Sequence, residues 1–434
     1  MNSSGNAALD AAVRAGRAER IDWRFRSIAP ALAGLTLDEA AARRANLFAD
    51  GFFAPFVVLD AAALEHNLST MARWCAERGV ALAPHGKTTM APELYARQLA
   101  HGAWGITAAN AGHVRISRAF GVSRILLANQ LVDPSALRWL AGELAADPEF
   151  EFVCWVDSVR GVELMTAALD GSPRPVDVLV ELGADGGRTG VRTTATALAV
   201  AEAAAKSPAL RLRGTGGYEG ALSHDTDAAA LAKISSYVHG LRELAVAFAE
   251  KDLLAPGQVY VTAGGSAYFD RVVDELTKPW PDGLDVVPIL RSGAYVTHDD
   301  GFYRQISPLG AHPRITGVET LRPALHAWAQ VTSKPSDELA LLTAGKRDLP
   351  YDEGMPEPQQ LRKEAVVTEL SGHTVTKMND QHAFLALPAG SPVDVGDWVR
   401  LGLSHPCTTF DKWPLLPVVG TDGETVVDFV RTWF

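Results

Sequence analysis

The stretch Val80–Thr89, VALAPHGKTT, begins the repeating pattern that decides the fold. It is an apolar segment ending in polar residues. Seven more such segments follow, with helical patterns between them: GITAAN, RILLAN, FEFVCWVD, VDVLVELG, LRGTGGYEG, VYVTAGG and VVPILRSG. Strands that alternate with helices predict a parallel sheet. Eight units within residues 80–295 fit a (β/α)8 TIM barrel, for which about 250 residues is typical. An open doubly wound sheet is the alternative, but its Gly-rich dinucleotide turn is missing after the first strand.

The segments on either side of this region follow different patterns. Residues 1–50 are rich in Ala, Arg and Glu at helical spacing, which predicts an N-terminal helical extension. After about residue 295, short alternating segments are separated by Gly, Pro and Asp. This pattern is typical of an antiparallel β domain. We therefore predict an extension over 1–50, a barrel over 51–295 and a C-terminal antiparallel β domain over 296–434.

Composition excludes several classes of protein. The chain has 434 residues, 47% of them hydrophobic, and a formal net charge of −11. This charge argues against a nucleic-acid partner or an anionic membrane partner. The N-terminus carries charges without an apolar run, unlike a secretory signal, and no segment approaches the ~20 apolar residues of a membrane helix. The cysteines form no CxxC motif, so we expect a reducing, cytoplasmic location and a small-molecule substrate.

Polar residues follow the predicted strands at the rim where a barrel carries its active site. His85 and Lys87 end the first strand on one face. Arg188 follows the fifth strand in ELGADGGRTGV, and Tyr218 follows the sixth in GTGGYEGALSH. Each residue alone has a structural explanation, as a surface lysine, a turn or a packed tyrosine. Together at one rim they indicate a binding site.

A Gly-Gly-Ser turn follows the seventh strand in VTAGGSAYFD, and we predict a helix directly after it. Free amides at a helix N-terminus suit a phosphate, and barrels often bind phosphate after strands seven and eight. A lysine, a phosphate turn and a tyrosine at one rim suggest pyridoxal phosphate. The lysine would hold the aldehyde as a Schiff base.

The stretch Ser404–Trp413, SHPCTTFDKW, separates His405 and Cys407 by one residue. On an extended strand two such side chains point the same way. A thiolate with an imidazole favours zinc over magnesium, calcium or manganese. Two ligands would leave positions open for water or substrate, as in a catalytic zinc site.

These motifs in this order resemble the D-threonine aldolase and eukaryotic-type D-serine dehydratase family, which are alanine-racemase-type, fold-type III pyridoxal phosphate enzymes. The likeness runs from APFVVLDAAALEHNL to SHPCTTFD and covers most of the chain. There are two departures. The family's lysine strand commonly continues as Lys-Thr-His-Lys, where this chain has Lys87 to Met90 as KTTM, and the extension of about fifty residues is longer than expected.

The resemblance implies a role for each candidate residue. Lys87 would be the Schiff-base lysine, His85 a neighbour in the cofactor pocket, and Arg188 would lie near the cofactor's phenolic oxygen or the substrate carboxylate. The remaining cofactor contacts would be the pyridine-side Tyr218, the phosphate loop Gly264, Gly265 and Ser266, and Tyr295. The metal pair of the dehydratase branch would be His405 and Cys407. The family also implies a homodimer with its site near the subunit boundary.

The implied reaction is dehydration of a β-hydroxy D-amino acid, with D-serine giving pyruvate and ammonia. Lys87 would remove the α-proton, and zinc would stabilise the departing hydroxide. The alternative is a D-threonine aldolase-type retro-aldol cleavage, whose second metal ligand tends to be an aspartate, so Cys407 favours dehydration. Less expected are a racemase, which needs no metal, a non-catalytic pyridoxal carrier and a zinc hydrolase without pyridoxal. No role is assigned to the polar residues of two further segments, His298, Asp299, Asp300, Asp380, Gln381 and His382.

Overall fold

A computed structural model describes residues 3–434, with side chains from Ala7 onward; Met1 and Asn2 of the predicted extension lie outside the described residues. The extension is only partly helical. It contains α1 (Ser3–Gly16) and α2 (Leu37–Ala42), and strand β1 (Phe56–Asp60) follows it. Apolar side chains of the segment after α1 pack with those of β1 in one buried cluster that includes Ile21, Leu37, Leu47 and Phe56.

The predicted parallel barrel is confirmed. Its strands are β2 (Ala81–Leu82), β3 (Ile106–Ala108), β4 (Arg124–Gln130), β5 (Glu151–Val156), β6 (Val176–Leu182), β7 (Leu210–Gly217), β8 (Val259–Ala263) and β9 (Val286–Leu290). They form an eight-stranded sheet in the order β2-β9-β8-β7-β6-β5-β4-β3. A parallel bridge between His85 and Thr107 joins β3 back to the end of β2. The Thr107 hydroxyl strengthens this closure by donating to the Ala83 carbonyl at 2.6 Å.

Helices cover the outside of the barrel. They are α3 (Ala61–Glu77), α4 (Pro92–Ala100), α5 (Ala111–Ala119), α6 (Pro134–Ala146), α7 (Val159–Ala168), α8 (Thr194–Lys206), α9 (Ala228–Glu250) and α10 (Phe269–Leu276); α11 (Phe302–Ile306) leads into the β domain. Six of them begin after a residue whose side chain accepts a backbone N–H of the first turn: Asp60, Asn110, Asp133, Ser158, Thr193 and Asp227. Such caps fix the helix starts and so the lengths of the loops at the rim.

The barrel interior is a packed core. It is filled by inward side chains from most strands, namely Ala83, Leu126, Val153, Trp155, Leu179, Tyr260 and Ile289. Because both faces of each strand are buried, the strands read as continuous apolar runs in the sequence.

The C-terminal domain is built of mostly antiparallel strands, as predicted. They are β10 (Leu325–Ser336), β11 (Leu339–Leu342), β12 (Glu357–Lys363), β13 (Val366–Glu369), β14 (Thr374–Met378), β15 (Ala383–Ala386), β16 (Trp398–Gly402), β17 (Leu415–Val419) and β18 (Val426–Arg431), with α12 (Cys407–Phe410) between β16 and β17. The main path of the sheet is β13-β12-β16-β10-β1-β17-β18.

Strand β1 differs from the predicted division of the chain. A boundary at residue 51 assigns it to the barrel, but it pairs antiparallel with β10 and parallel with β17 inside the β-domain sheet. The residues Phe56–Leu59 are fully buried on both faces. A doubly buried strand has the same apolar sequence in either sheet, so its pattern cannot tell which sheet it joins. The β domain therefore contains a strand that precedes the barrel in sequence.

Across the described residues, every helix is too short or too polar to cross a membrane.

Candidate active site

A cavity of about 490 Å³ lies at the carboxyl ends of the barrel strands and is closed on one side by loops of the β domain. This volume falls within the range of about 300–1,000 Å³ usual for small-molecule sites. Nine of the ten predicted site residues line it: His85, Lys87, Arg188, Tyr218, Gly264, Gly265, Ser266, His405 and Cys407. The structure thus brings together residues that lie more than three hundred positions apart in the sequence.

Lys87 lies on a 3-10 turn, Gly86–Thr88, which a short extended segment connects to the end of β2 at Leu82. Burial lowers the pKa of its amine, and the positive charges of Arg188 and Arg291 lower it further, while Cys407 acts in the opposite direction. The amine is therefore more readily neutral than an exposed lysine, as a nucleophile or a base requires. Beside it, the buried Nδ1 of His85 has no hydrogen-bond partner among the described residues. Burial and the Lys87 charge lower the pKa of His85 well below its usual value, so its imidazole is neutral.

The C-terminal metal motif packs directly against this lysine turn. The Cys407 Sγ lies 3.7 Å from the Thr88 Oγ1. The prediction that His405 and Cys407 lie on an extended strand is wrong. His405 has a φ of +59°, Pro406 has helical dihedrals and Cys407 begins α12. Proline suits a helix start and is unsuited to an internal strand position. A tight turn, instead of strand alternation, directs both side chains toward one place.

The His405 imidazole is held between two groups. It hydrogen-bonds Cys407, and its Nδ1 lies 2.6 Å from the Asp352 Oδ2. Burial acts to lower the pKa of His405, but Cys407 and Asp352 outweigh it and raise the pKa to about 9. An imidazole and a thiol side by side are a donor set that suits zinc. Within residues 3–434 no third His, Cys, Asp or Glu side chain completes a cluster of metal ligands around them.

The Gly-Gly-Ser turn differs from its predicted form. The amides of Gly264 and Gly265 donate to the Glu219 carboxylate at 2.9 and 2.7 Å, and α10 begins only at Phe269. Glu219 follows β7, and the turn follows the neighbouring β8, so parallel pairing brings them together. Those two amides therefore already have an acceptor within the protein. The Ser266 side chain still lines the cavity, and its hydroxyl has no partner in the described part of the chain.

Arg188 and Tyr218 form one wall of the cavity. The Arg188 guanidinium stacks over the Tyr218 ring at 4.7 Å. The Tyr218 backbone N–H donates to the Tyr237 hydroxyl at 2.9 Å, which fixes the start of the loop after β7. Burial raises the pKa of Tyr218 to about 12, so it remains a phenol near neutral pH. The pair offers a flat aromatic face and a cation to the cavity.

Tyr295 is the one predicted site residue that does not reach this cavity. It lies on the 3-10 turn Ala294–Val296, and only Ala294 of that turn faces the cavity. The Tyr295 side chain is 2% exposed in the core and hydrogen-bonds Gln98. A turn after a strand rotates successive side chains away from one another, so Tyr295 points away from its neighbour.

Several residues of the site were missed from the sequence. Arg291 directly follows β9, lines the cavity, and donates to the Thr262 Oγ1 at 2.6 Å and to the Gly217 carbonyl. The rule that found Lys87, a polar residue at a strand end, also applies to Arg291. Asp352 lies in a loop and Tyr303 on the short helix α11, and neither belongs to a motif, so no local signal indicates them.

The two segments without an assigned role differ in their position relative to the cavity. Asp299 accepts the backbone N–H of His405 at 3.3 Å and that of Tyr303 at 2.8 Å, so it supports the cavity wall. In contrast, residues 380–382 form the turn between β14 and β15, away from the cavity.

The residues present fit pyridoxal phosphate. Lys87 supplies an enclosed amine, Tyr218 an aromatic face, and Ser266 a hydroxyl without a protein partner. The buried Nδ1 of His85 is also unpaired. An enclosed lysine at the carboxyl rim of a parallel barrel, with a β domain closing the cavity, defines a fold-type III pyridoxal phosphate enzyme.

Comparisons with known proteins agree with this class. The family described as alanine racemase, N-terminal domain, matches residues 59–250, and the putative serine dehydratase domain matches residues 324–419. A D-threonine aldolase from Arthrobacter sp. is 30% identical over 374 residues, covering 84% of this chain and 88% of the relative. A D-threo-3-hydroxyaspartate dehydratase from Delftia sp. (strain HT23) is 25% identical over 397 residues, covering 87% and 96%.

A solved structure gives the same result. The D-threonine aldolase from Filomicrobium marinum superposes with a TM-score of 0.74 at 26% identity, covering 88% of this chain and 95% of that one. The chain belongs to the D-threonine aldolase and D-serine dehydratase family, and it is a pyridoxal phosphate-dependent lyase.

Proposed function

We propose that this lyase is a zinc-dependent dehydratase of β-hydroxy D-amino acids, with D-serine as its substrate and pyruvate and ammonia as products. The observation that carries the proposal is the Cys407 thiol beside the His405 imidazole, both facing the cavity that contains Lys87. A thiolate ligand favours zinc over the harder manganese and magnesium ions. One solved structure of a D-threo-3-hydroxyaspartate dehydratase is of a variant in its metal-free form.

The residues of the cavity have separate tasks in this reaction. When bound, pyridoxal phosphate supplies an electron sink for the substrate's α-carbon, and zinc supplies Lewis acidity toward the β-hydroxyl. Lys87, whose amine is more readily neutral because it is buried, takes the proton from the α-carbon. Arg188, which lines the cavity, attracts the substrate carboxylate. The Thr88–Cys407 contact keeps the metal side of the cavity next to the lysine turn.

A retro-aldol lyase is the second candidate. It is favoured by the relative from Arthrobacter, which is a D-threonine aldolase and is 30% identical to this chain. Both reactions begin with a β-hydroxy D-amino acid held in the same cavity. They differ in the bond that breaks at the β-carbon, so the products distinguish them.

The test is a substrate panel. Purified enzyme is incubated with D-serine and D-threonine, before and after chelation, and ammonia, 2-oxo acid, glycine and acetaldehyde are measured. We expect ammonia and pyruvate from D-serine, loss of this activity on chelation, and recovery on adding Zn²⁺. Lys87→Ala is the inactive control.

Two results would contradict the proposal. Ammonia release that chelation leaves unchanged would remove zinc from the mechanism. Glycine and acetaldehyde from D-threonine, without ammonia from D-serine, would establish the aldolase. The homodimer stays a proposal in its own right, checked by light scattering on the holoenzyme.

A further inference from the structure

We propose that Asp352 is a positioning residue that fixes the His405 imidazole for metal binding. Asp352 lies in the loop between β11 and β12, more than fifty positions before His405 in the sequence. It reaches the metal side of the cavity only through the fold. The inference rests on the zinc site of the proposed function and adds a residue to it.

Both oxygens of the Asp352 carboxylate have partners. Its Oδ2 lies 2.6 Å from the His405 Nδ1, and its Oδ1 accepts the Thr408 hydroxyl at 2.9 Å. A carboxylate held at both oxygens cannot rotate freely. Thr408 lies on α12, directly after Cys407, so one short helix carries a metal ligand and the residue that orients the carboxylate.

This arrangement selects one imidazole nitrogen. Because Asp352 accepts a hydrogen bond from Nδ1–H, Nε2 is the nitrogen that loses its proton when a metal binds and offers its lone pair to it. The carboxylate also makes the imidazole a stronger ligand. Without it, the ring could rotate or take the other tautomer, and its donor would no longer face the position shared with Cys407.

The His405 backbone is held independently of Asp352. Its amide donates to the Asp299 Oδ2 at 3.3 Å, and its carbonyl accepts the Thr409 hydroxyl at 3.4 Å. These contacts support the left-handed φ of +59° at His405. The Asp352 side chain is 43% exposed. After its removal, water can reach the His405 Nδ1, so no polar atom is left buried without a partner. Loss of Asp352 should therefore alter the imidazole and leave the loop folded.

The test measures zinc affinity instead of activity. The apparent Kd for Zn²⁺ is determined in chelator-treated, cofactor-containing enzyme by competition with a chromophoric chelator. We expect Asp352→Ala to raise this Kd by roughly 10- to 100-fold, the usual effect of losing such a partner. Asp352→Asn should be intermediate, since its amide oxygen still accepts from Nδ1 but carries no charge.

Asp411→Ala is the matched control. Asp411 lies at the end of the same short helix, its side chain is 41% exposed, and its side chain pairs with Lys412. We expect an unchanged Kd for this variant, and unchanged thermal unfolding and cofactor absorbance for all three.

The outcomes separate this inference from the proposed function. A Kd within about twofold of wild type for Asp352→Ala, while Cys407→Ala weakens binding, overturns the role of Asp352 alone. A wild-type enzyme that binds no Zn²⁺ overturns both. The expected loss of affinity in an enzyme that consumes no β-hydroxy D-amino acid supports the role of Asp352 and refutes the proposed reaction.

Discussion

Glu219 and Arg291 are oppositely charged side chains buried beside the cavity. Glu219 is 0% exposed and Arg291 is 3% exposed. Burial lowers the pKa of Arg291 to about 10, although the Glu219 charge acts to raise it. The Glu219 carboxylate also accepts both glycine amides of the turn after β8. Arg291 donates its side-chain hydrogen bonds to Thr262 and Gly217, so the two charges act on each other through space and not as a direct ion pair.

We predict that Glu219→Gln destabilises the protein by roughly 1–3 kcal/mol, the usual cost of leaving a buried hydrogen-bonding group without its partner. The glutamine NH₂ group would also face a backbone N–H that needs an acceptor. Urea unfolding of the cofactor-free protein measures the change. Glu243→Gln, on the outer surface of α9, is the control and should change stability little. Equal midpoints for the two variants would show that the Gly264–Gly265 turn does not depend on Glu219.

At the scale of an element, helix α4 joins the barrel to the β domain and carries a partly buried acid, Glu93, in its first turn. Glu93 lies beside the backbone of Arg431 in β18, and its Oε2 has no partner among the described residues. Burial raises the pKa of Glu93 from 4.5 to about 7, against the effect of nearby backbone hydrogen bonds. The folded protein thus holds this proton more tightly than the unfolded chain does.

The sign of the pH dependence follows from linkage. Below pH 4.5 Glu93 is neutral in the folded and the unfolded state, so it does not change the free energy of unfolding. Between pH 4.5 and about 7 it ionises in the unfolded chain but stays protonated in the folded protein, so folding stability falls as pH rises. We expect Glu93→Gln to be more stable than wild type by roughly 1–3 kcal/mol at about pH 8, with a smaller difference at about pH 5. Urea midpoints at both pH values test this. Glu163→Gln, on an exposed turn of α7, should show no such dependence; a pH-independent gain in Glu93→Gln would disprove the burial effect.

At the scale of the whole molecule, the β domain contains a strand that comes before the barrel in the sequence, so the two domains depend on each other. Strand β1 lies between β10 and β17, so the β-domain sheet is incomplete until residues from before the barrel have joined it. The C-terminal loop then places Cys407 against Thr88 of the barrel. The cavity therefore forms only when both domains have assembled.

We predict that a chain beginning at Ala61 will not fold. Its β10 and β17 would lose their shared neighbour, and the sheet would lose Phe56–Leu59, all fully buried. Unpaired strand edges favour aggregation. A chain beginning at Arg17 loses α1 but keeps β1, and it should remain folded with reduced stability. Soluble yield and circular dichroism of both chains provide the measurement, and a monodisperse, native-like protein beginning at Ala61 would refute the prediction.

The barrel, and most of the residues on its side of the cavity, could be predicted from the amino-acid sequence. Eight apolar runs with helices between them leave few other folds, because doubly buried parallel strands must be continuous and apolar. Since active-site residues lie at strand ends, Lys87, Arg188 and Tyr218 could be predicted as a group at one rim, although each alone has a structural explanation. Tyr295 was misplaced because a 3-10 turn rotates successive side chains, and this rotation leaves no sequence pattern.

The remaining features depend on contacts that form only in the folded chain. The strand containing Phe56 joined the β domain, the glycine amides bound Glu219, and a turn instead of a strand brought His405 and Cys407 together. Asp352 reached His405 across more than fifty residues of chain. Local sequence records the periodicity of each element and its burial, which are short-range properties. Pairing partners and loop contacts depend on which surfaces meet after folding, and no local pattern encodes them.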